Sequence, residues 1–276
     1  MNYYKYTFTV TPPEPGTDIL IACLAEMDFE SFESNDNGFV AYIPETLNSN
    51  VNFTELVFED FKFEYSFQKI EQVNWNEEWE KNFSPVIINK DCIIRAPFHK
   101  SDHPYKYDLV IMPKMSFGTG HHDTTSLMCK NMLETDFNNI TVLDAGTGTG
   151  VLAILAEKLG AKHIYANDID EWSVLNAIEN CEVNHCKNIK VFQGDATLFE
   201  EKNKYDVILA NINKNVLKSY IPKIASVLKQ EGLLFLSGFF KTDTDELIHL
   251  ASEHSIVLYK VELKNEWAVI VLKKTK

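Results

Sequence analysis

The stretch Val142-Leu143-Asp144-Ala145-Gly146-Thr147-Gly148-Thr149-Gly150 decides the fold, because it joins a short β-type apolar run to a glycine-rich turn and then to the helical pattern VLAILAEKLG (151–160). Glycine is needed where the backbone must turn sharply and approach a ligand with no Cβ in the way. Downstream, β-rich runs and amphipathic segments alternate: HIYAND (163–168), EWSVLNAIENCEVN (171–184), IKVFQGD (189–195), YDVILANI (205–212), VLKSYIPKIASVLK (216–229) and GLLFLSGFF (232–240). This alternation predicts an α/β fold with a doubly wound, largely parallel sheet. Gly160 and Gly232 stand where helix ends or turns into the next strand are expected. The tail adds a helix over 243–254, then IVLYKVEL (256–263) and EWAVIVL (266–272), two antiparallel strands with a turn around Lys264 and Asn265.

Upstream the rhythm differs. YKYTFTV (4–10) and GFVAYIP (38–44) read as strands, DILIACLAEM (18–27) and NFTELVFEDF (52–61) as helices, and FKFEYSFQKI (61–70) as a strand, together a small α+β domain of ferredoxin-like type over residues 1–70. Residues 71–115 read as a linker. In it Trp75, Trp79 and Phe83 fall at i, i+4 and i+8, one stripe of a helix that Pro85 cannot continue, followed by short strands. The catalytic domain is then expected over 116–276.

The glycine turn allows two readings. Gly148, Gly150 and Ala153 satisfy the dinucleotide pattern G-x-G-x-x-A, with Asp168 about 20 residues on. That reading runs the strand up to Gly148 and places Asp144 inside it, where an unpaired carboxylate is rarely found. If the strand ends at Asp144 or Ala145, the pattern D-x-G-x-G-x-G resembles the first motif of class I S-adenosylmethionine methyltransferases. The acid at its start suits a cofactor with a cationic sulfonium and an ammonium group. The resemblance extends to Asp168, at the end of the second strand, as acceptor of the ribose hydroxyls, and to Asp195 as the adenine contact. Asp170 reads as a helix N-terminal charge.

Methyl transfer from sulfonium is an in-line displacement, so an enzyme of this kind mainly holds an uncharged nucleophile close to and in line with the methyl group. Asn211, at the end of the fourth strand in Leu-Ala-Asn-Ile-Asn, occupies the position from which such enzymes commonly present a side-chain carbonyl to an amine. Adenine and glutamine methyltransferases usually carry Asn-Pro-Pro-Tyr there. Ile212 and Asn213 replace the prolines and argue against both substrates.

The most distinctive segment is Ser116-Phe117-Gly118-Thr119-Gly120-His121-His122-Asp123-Thr124-Thr125, a glycine and hydroxyl loop ending in a helix cap. Adjacent side chains diverge, so His121, His122 and Asp123 do not form a joint metal site. Together with Trp-Asn-Glu-Glu-Trp-Glu-Lys-Asn-Phe-Ser-Pro (75–85) and Ala-Asn-Ile (210–212), this loop makes the chain resemble the ribosomal protein L-eleven methyltransferase family. The resemblance implies an N-terminal domain that grips the ribosomal protein and a catalytic domain that trimethylates lysine side chains and an N-terminal amine. S-adenosyl-L-methionine would be the cofactor and L-eleven the protein partner. Thr125, Asp144, Gly146, Thr147, Gly148, Gly150, Asp168, Asp195 and Asn211 would form the cofactor site, with Asn211 facing the amine. The lysine must lose a proton before attack and no residue identifies itself as the base; loss to water, helped by the sulfonium charge, and His121 are the two candidates. A small-molecule amine as acceptor, a nicotinamide oxidoreductase and a non-enzymatic adaptor are the competing readings.

Composition fits this picture. With 276 residues and 45% hydrophobic content the chain can bury a substantial core, and its formal net charge of −14 disfavours nucleic acid and favours cationic partners. The five cysteines show no C-x-x-C pair, and Cys181, His185 and Cys186 lack a second ligand pair for zinc. The N-terminal MNYYKYTFTVTPPEP lacks a secretory layout, and no apolar run is long enough to span a bilayer. A cytoplasmic monomer without a bound metal is expected.

Overall fold

The computed structural model describes residues 2–71, 75–100, 103–195, 202 and 204–276. The chain divides after Asn82 into two compact units.

In the first unit, β1 (Tyr3–Thr11), α1 (Gly16–Ala25), β2 (Glu30–Asn35), β3 (Gly38–Pro44), the single-turn α2 (Glu45–Asn48), β4 (Lys62–Ile70) and α3 (Trp75–Asn82) follow one another. The strands form an antiparallel sheet in the order β2-β3-β1-β4. The succession β-α-β-β-α-β is that of a ferredoxin-like unit. Alternation along β1 sends Tyr6, Phe8 and Val10 inward against Phe39, Ala41 and Ile43 of β3 and Leu20 and Leu24 of α1.

Two expectations fail here. NFTELVFEDF is not helical: the Asn52 Oδ1 accepts from the Thr54 N–H at 3.0 Å and from its hydroxyl at 2.7 Å, a local turn that competes with helical bonding. Phe53 is then free to pack its ring against Tyr6, Phe8, Phe29 and Tyr65. The strand β2 went unforeseen because, as an edge strand, it leaves every residue but Phe32 exposed and shows no apolar alternation. The helix α3 ends before Pro85 as expected, though the side chain of Trp75 lies outside the described residues.

The second unit opens with a three-stranded sheet of β5 (Val86–Asn89), β6 (Cys92–Arg95) and β7 (Tyr107–Val110), in that order. The sequence reading placed these strands in a linker reaching to 115. They cluster instead with the second unit, because Cys92, Ile94, Leu109 and Ile111 are buried in one core with Leu127, Met128 and Leu155.

There follow α4 (Asp123–Leu133), β8 (Thr141–Ala145), α5 (Val151–Lys158), β9 (His163–Asp168), α6 (Glu171–Val183), β10 (Ile189–Gln193), β11 (Tyr205–Asn211), α7 (Lys214–Val227), β12 (Leu228–Phe240), α8 (Thr244–Ser252), β13 (Ile256–Lys264) and β14 (Trp267–Lys274). The last seven strands build one sheet in the order β10-β9-β8-β11-β12-β14-β13, parallel except for β14, which runs antiparallel to both of its neighbours. Alternation splits the core in two. Val142, Val207, Leu209 and Phe235 face α4 and α5, while Leu143, Ile208, Ala210, Leu234 and Leu236 face α7 and α8.

Two local details differ from expectation. The strand β12 starts at Leu228, directly after α7, and the left-handed turn residue is Glu231 (φ 63°), with Gly232 inside the strand. The tight turn between β13 and β14 uses Asn265 and Glu266, one residue later than read. Among the described residues no helix is long and apolar enough to cross a membrane, and no three His, Cys, Asp or Glu side chains group as metal ligands.

Candidate active site

The strand β8 ends at Ala145, so the glycine turn starts there and the D-x-G-x-G-x-G reading holds against the dinucleotide one. Strand order reverses between β8 and β11, the switch point at which open α/β sheets bind ligands outside their carboxyl ends. At that edge Ala145 pairs with Asn167, Gln193 with Asp168 and Asn211 with Ser237. A cavity of about 530 Å³ opens above it, a size typical of ligand sites.

The glycines are fixed by close approach. A Cβ on Gly146 (φ 72°) would stand 2.3 Å from the Ile212 side chain, and one on Gly148 (φ 54°) 2.2 Å from the Phe117 carbonyl. Gly150 (φ 83°) caps α5 and lets its first turn pack on Ala177 of α6. The segment before α4 is strapped onto this turn: the Thr149 N–H donates to the Phe117 carbonyl at 2.9 Å and its hydroxyl to the Gly118 carbonyl at 2.7 Å.

Asp144 is buried behind the turn and is not part of the cavity lining. One carboxylate oxygen accepts from the Thr147 hydroxyl at 2.6 Å and the Ala153 N–H at 3.2 Å, so the residue braces the loop. Burial pushes its carboxyl up to about 7, opposed by those two donors and assisted by the charge of Asp168. Its charged form is therefore disfavoured in the folded state. The resulting cost is absent below about pH 4, where the unfolded carboxyl is also protonated, and reaches its full size above the folded value. Relative to the parent, Asp144→Asn is expected to gain roughly 2–4 kcal/mol of stability between acid and mildly alkaline pH. Thermal melts of both proteins across that range give the difference, and a pH-independent offset would show that Asp144 carries no buried charge.

Of the residues singled out from sequence, Gly146, Gly148, Asp168 and Asn211 line the cavity. Asp168 accepts the Gly148 N–H at 2.9 Å on one oxygen and the Asp170 N–H at 3.1 Å on the other. Asp170 caps α6 through the Trp172 N–H, as its place before the helix suggested, and also lines the cavity. Thr125 is fully buried and holds Asn211, whose Nδ2 donates to the Thr125 Oγ1 at 3.4 Å. The Asn211 Oδ1 is buried without a partner among the described residues. Thr147 and Gly150 lie behind the lining in the turn. Asp195 follows β10 beside Gly194, whose carbonyl accepts from the Asn167 side chain, and is outside the lining.

His121, the candidate base, does not reach the cavity. Its ring packs on Phe83, its Nε2 bonds the Ser84 carbonyl at 2.8 Å and its Nδ1 lies 3.2 Å from the Thr119 hydroxyl. The next side chain points the other way. His122 caps α4 through its Nδ1 and packs between Phe117 and Trp267 on the cavity wall.

Sequence reasoning missed Trp267 and Gly238. Trp267 stacks on Phe240 and is held in place by the turn before it, where Lys264 and Asn265 bind Asp123 at 2.9 and 2.7 Å. Gly238 (φ 93°) lets β12 pass against the Ile212 backbone, and a glycine interrupting the run LLFLSGFF was the available signal.

Known proteins were then compared with this chain. The family described as Ribosomal protein L11 methyltransferase (PrmA) matches residues 23–275. The chain is similar to the Ribosomal protein L11 methyltransferase of Bacteroides fragilis, 41% identical over 276 residues that cover 98% of this chain and 99% of the relative. That of Porphyromonas gingivalis is 41% identical over 282 residues, covering 98% and 97%. Among solved structures, the ribosomal protein L11 methylase of Lactobacillus delbrueckii subsp. bulgaricus superposes with a TM-score of 0.64 at 26% identity, covering 70% of this chain and all of that one.

Proposed function

The chain belongs to the ribosomal protein L11 methyltransferase family, and from that membership we propose that it transfers methyl groups from S-adenosyl-L-methionine to amino groups of ribosomal protein L11. The observation that carries this reading is Asn211, a buried side-chain carbonyl with no partner among the described residues, in the wall of the cavity that also contains Gly146, Gly148 and Asp168.

The residues present fit the cofactor. Gly146 and Gly148 let the turn fold tightly against Ile212 and Phe117 in the cavity wall, and Asp168 offers carboxylate lone pairs beyond the two backbone N–H groups it already holds. When bound, S-adenosyl-L-methionine supplies an electrophilic methyl group on a sulfonium. The chain's own part is positional. Asn211, oriented by Thr125, accepts an N–H from a neutral amine, which turns the nitrogen lone pair away from the side chain and into the cavity. The rings of Phe117, His122 and Trp267 give that space an aromatic wall that suits an alkylammonium approaching in its charged form.

Lysine side chains and the N-terminal amine of L11, each carried to the trimethyl state, are the acceptors this reading takes. The net charge of −14 favours encounter with a basic ribosomal protein by long-range steering. The cytoplasm is the compartment in which enzyme and newly made ribosomal protein would meet, with the enzyme acting as a monomer on the protein and without nucleic acid.

The test is to incubate the protein with S-adenosyl-L-methionine and free L11 and read intact masses. Gains in steps of one methyl group, absent when S-adenosylhomocysteine replaces the cofactor, are expected. Cofactor binding with no mass gain on L11 would overturn the substrate assignment.

A further inference from the structure

The sequence of α6 and its C-cap carries three asparagines, Asn176, Asn180 and the cap residue Asn184, at i, i+4 and i+8, which places them on one side of the helix. All three are buried, at 1%, 0% and 9% exposure, an unusual run of amides in a helix face that would ordinarily be apolar. Each binds the chain that leaves β7. Asn184 receives the Val110 N–H at 3.0 Å and donates to the Val110 carbonyl at 2.6 Å. Asn180 receives the Met112 N–H at 2.8 Å, and Asn176 donates to the Met112 carbonyl at 3.3 Å. The backbone groups of Val110 and Met112 are thus satisfied by side chains of a helix, as a neighbouring strand would satisfy them.

Asn180 differs from the other two in one bond. Its Nδ2 donates to the Thr149 carbonyl at 2.8 Å, inside the glycine turn. Thr149 is the residue whose N–H and hydroxyl hold Phe117 and Gly118. One amide therefore grips both ends of the segment 112–118, the first directly at Met112 and the second through Thr149. Between those ends lie Met115, Ser116 and Phe117, all in the cavity wall.

We infer that Asn180 is a positioning residue for this wall: it sets the spacing between the glycine turn and the segment 115–117, and through it the shape of the cofactor site. Asn184 makes bonds of the same kind but touches only the Val110 end and its own helix. It anchors the strand exit and has no hold on the turn. The inference concerns the cavity described above and rests on the proposed function for the identity of its ligand.

The isosteric variant Asn180→Asp keeps the acceptor for Met112 and replaces the donor to Thr149 by an oxygen that repels its carbonyl. Asn184→Asp makes the matching change at the neighbouring rung and serves as the comparison. Amide hydrogen exchange, which needs no ligand, is expected to quicken about tenfold or more at residues 115–118 and 148–150 in Asn180→Asp and to stay as in the parent in Asn184→Asp, about the difference one lost hydrogen bond makes. In the methylation assay the same variant should raise the KM for S-adenosyl-L-methionine about tenfold with kcat at saturation within about twofold of the parent. Equal exchange at those amides in the two variants, or none in either, would overturn the inference. A parent protein that showed the exchange pattern but neither bound nor used the cofactor would overturn the functional reading and leave the positioning role standing.

Discussion

Asp168→Ala is expected to weaken binding of S-adenosyl-L-methionine by about 10²-fold or more, the loss of two hydrogen bonds to a charged acceptor. Asp168 stands at the end of β9, beside the reversal of strand order, with its carboxylate in the cavity wall. Two of its lone pairs hold the N–H groups of Gly148 and Asp170, which leaves the others for the vicinal hydroxyls of a ribose. The substitution also frees the N–H of the buried Gly148, an unpaired donor that costs about 1–3 kcal/mol, so the melting temperature should fall by several degrees. Calorimetric titration separates the two effects. An affinity within about threefold of the parent would mean that Asp168 serves only to cap the turn, since even one charge-assisted bond is worth more than that. Asp168→Asn retains an acceptor and should fall between the two.

The sheet was legible because its strands are buried on both faces and flanked by helices of regular period, so that TVLDA, HIYAND and YDVILANI read as strands before any contact is known. What escaped notice lacked such a pattern. The edge strand β2 carries Glu30, Ser31, Glu33, Ser34 and Asn35, with only Phe32 to mark it. The residues 52–61 carry apolar spacing that suits a helix, but the Asn52 side chain takes the backbone bond a helix would need and the aromatics go to the core singly.

The site shows the same division. Gly146, Gly148, Asp168 and Asn211 sit at fixed distances from strand ends, and a strand end is readable. Asp144 is part of the same motif, yet its carboxylate turns back toward Thr147 and Ala153, a direction that no spacing reveals. His121 and His122 are chemically alike in the sequence. Only the seating of α4, with His122 as its cap, decides which of them faces the cavity. Trp267 lies 56 residues beyond Asn211 and reaches the cavity wall because the antiparallel strand β14 brings the chain back beside β12. Long-range pairing of that kind has no local signature.

Asn211→Ala should lower kcat for methyl transfer by about 10²–10³-fold, the range found when one preorganised polar group facing a reacting centre is removed. The argument rests on how firmly the amide is held. The main chain of Asn211 is fixed by pairing with Ser237 of β12, its Nδ2 is engaged by the fully buried Thr125, and its Oδ1 has no hydrogen-bond partner among the described residues. A buried carbonyl left without a donor is costly to the free fold, and an incoming amine N–H relieves that cost only in the complex. Alanine removes both the acceptor and the constraint on the angle of attack. Because the glycine turn and Asp168 are untouched, cofactor affinity should change by less than about tenfold, so the loss falls on kcat and marks a group that acts on the acceptor. Asn211→Asp tests the same point from the other side. It keeps an acceptor but adds a negative charge that would favour the protonated amine, so its rate should recover as the pH is raised toward the ordinary lysine range. If Asn211→Ala retained more than about a tenth of the parent kcat, against the loss expected of a reacting-centre contact, the amine would have to be oriented by another polar group of the cavity wall, such as the side chain of Asp168 or Tyr220.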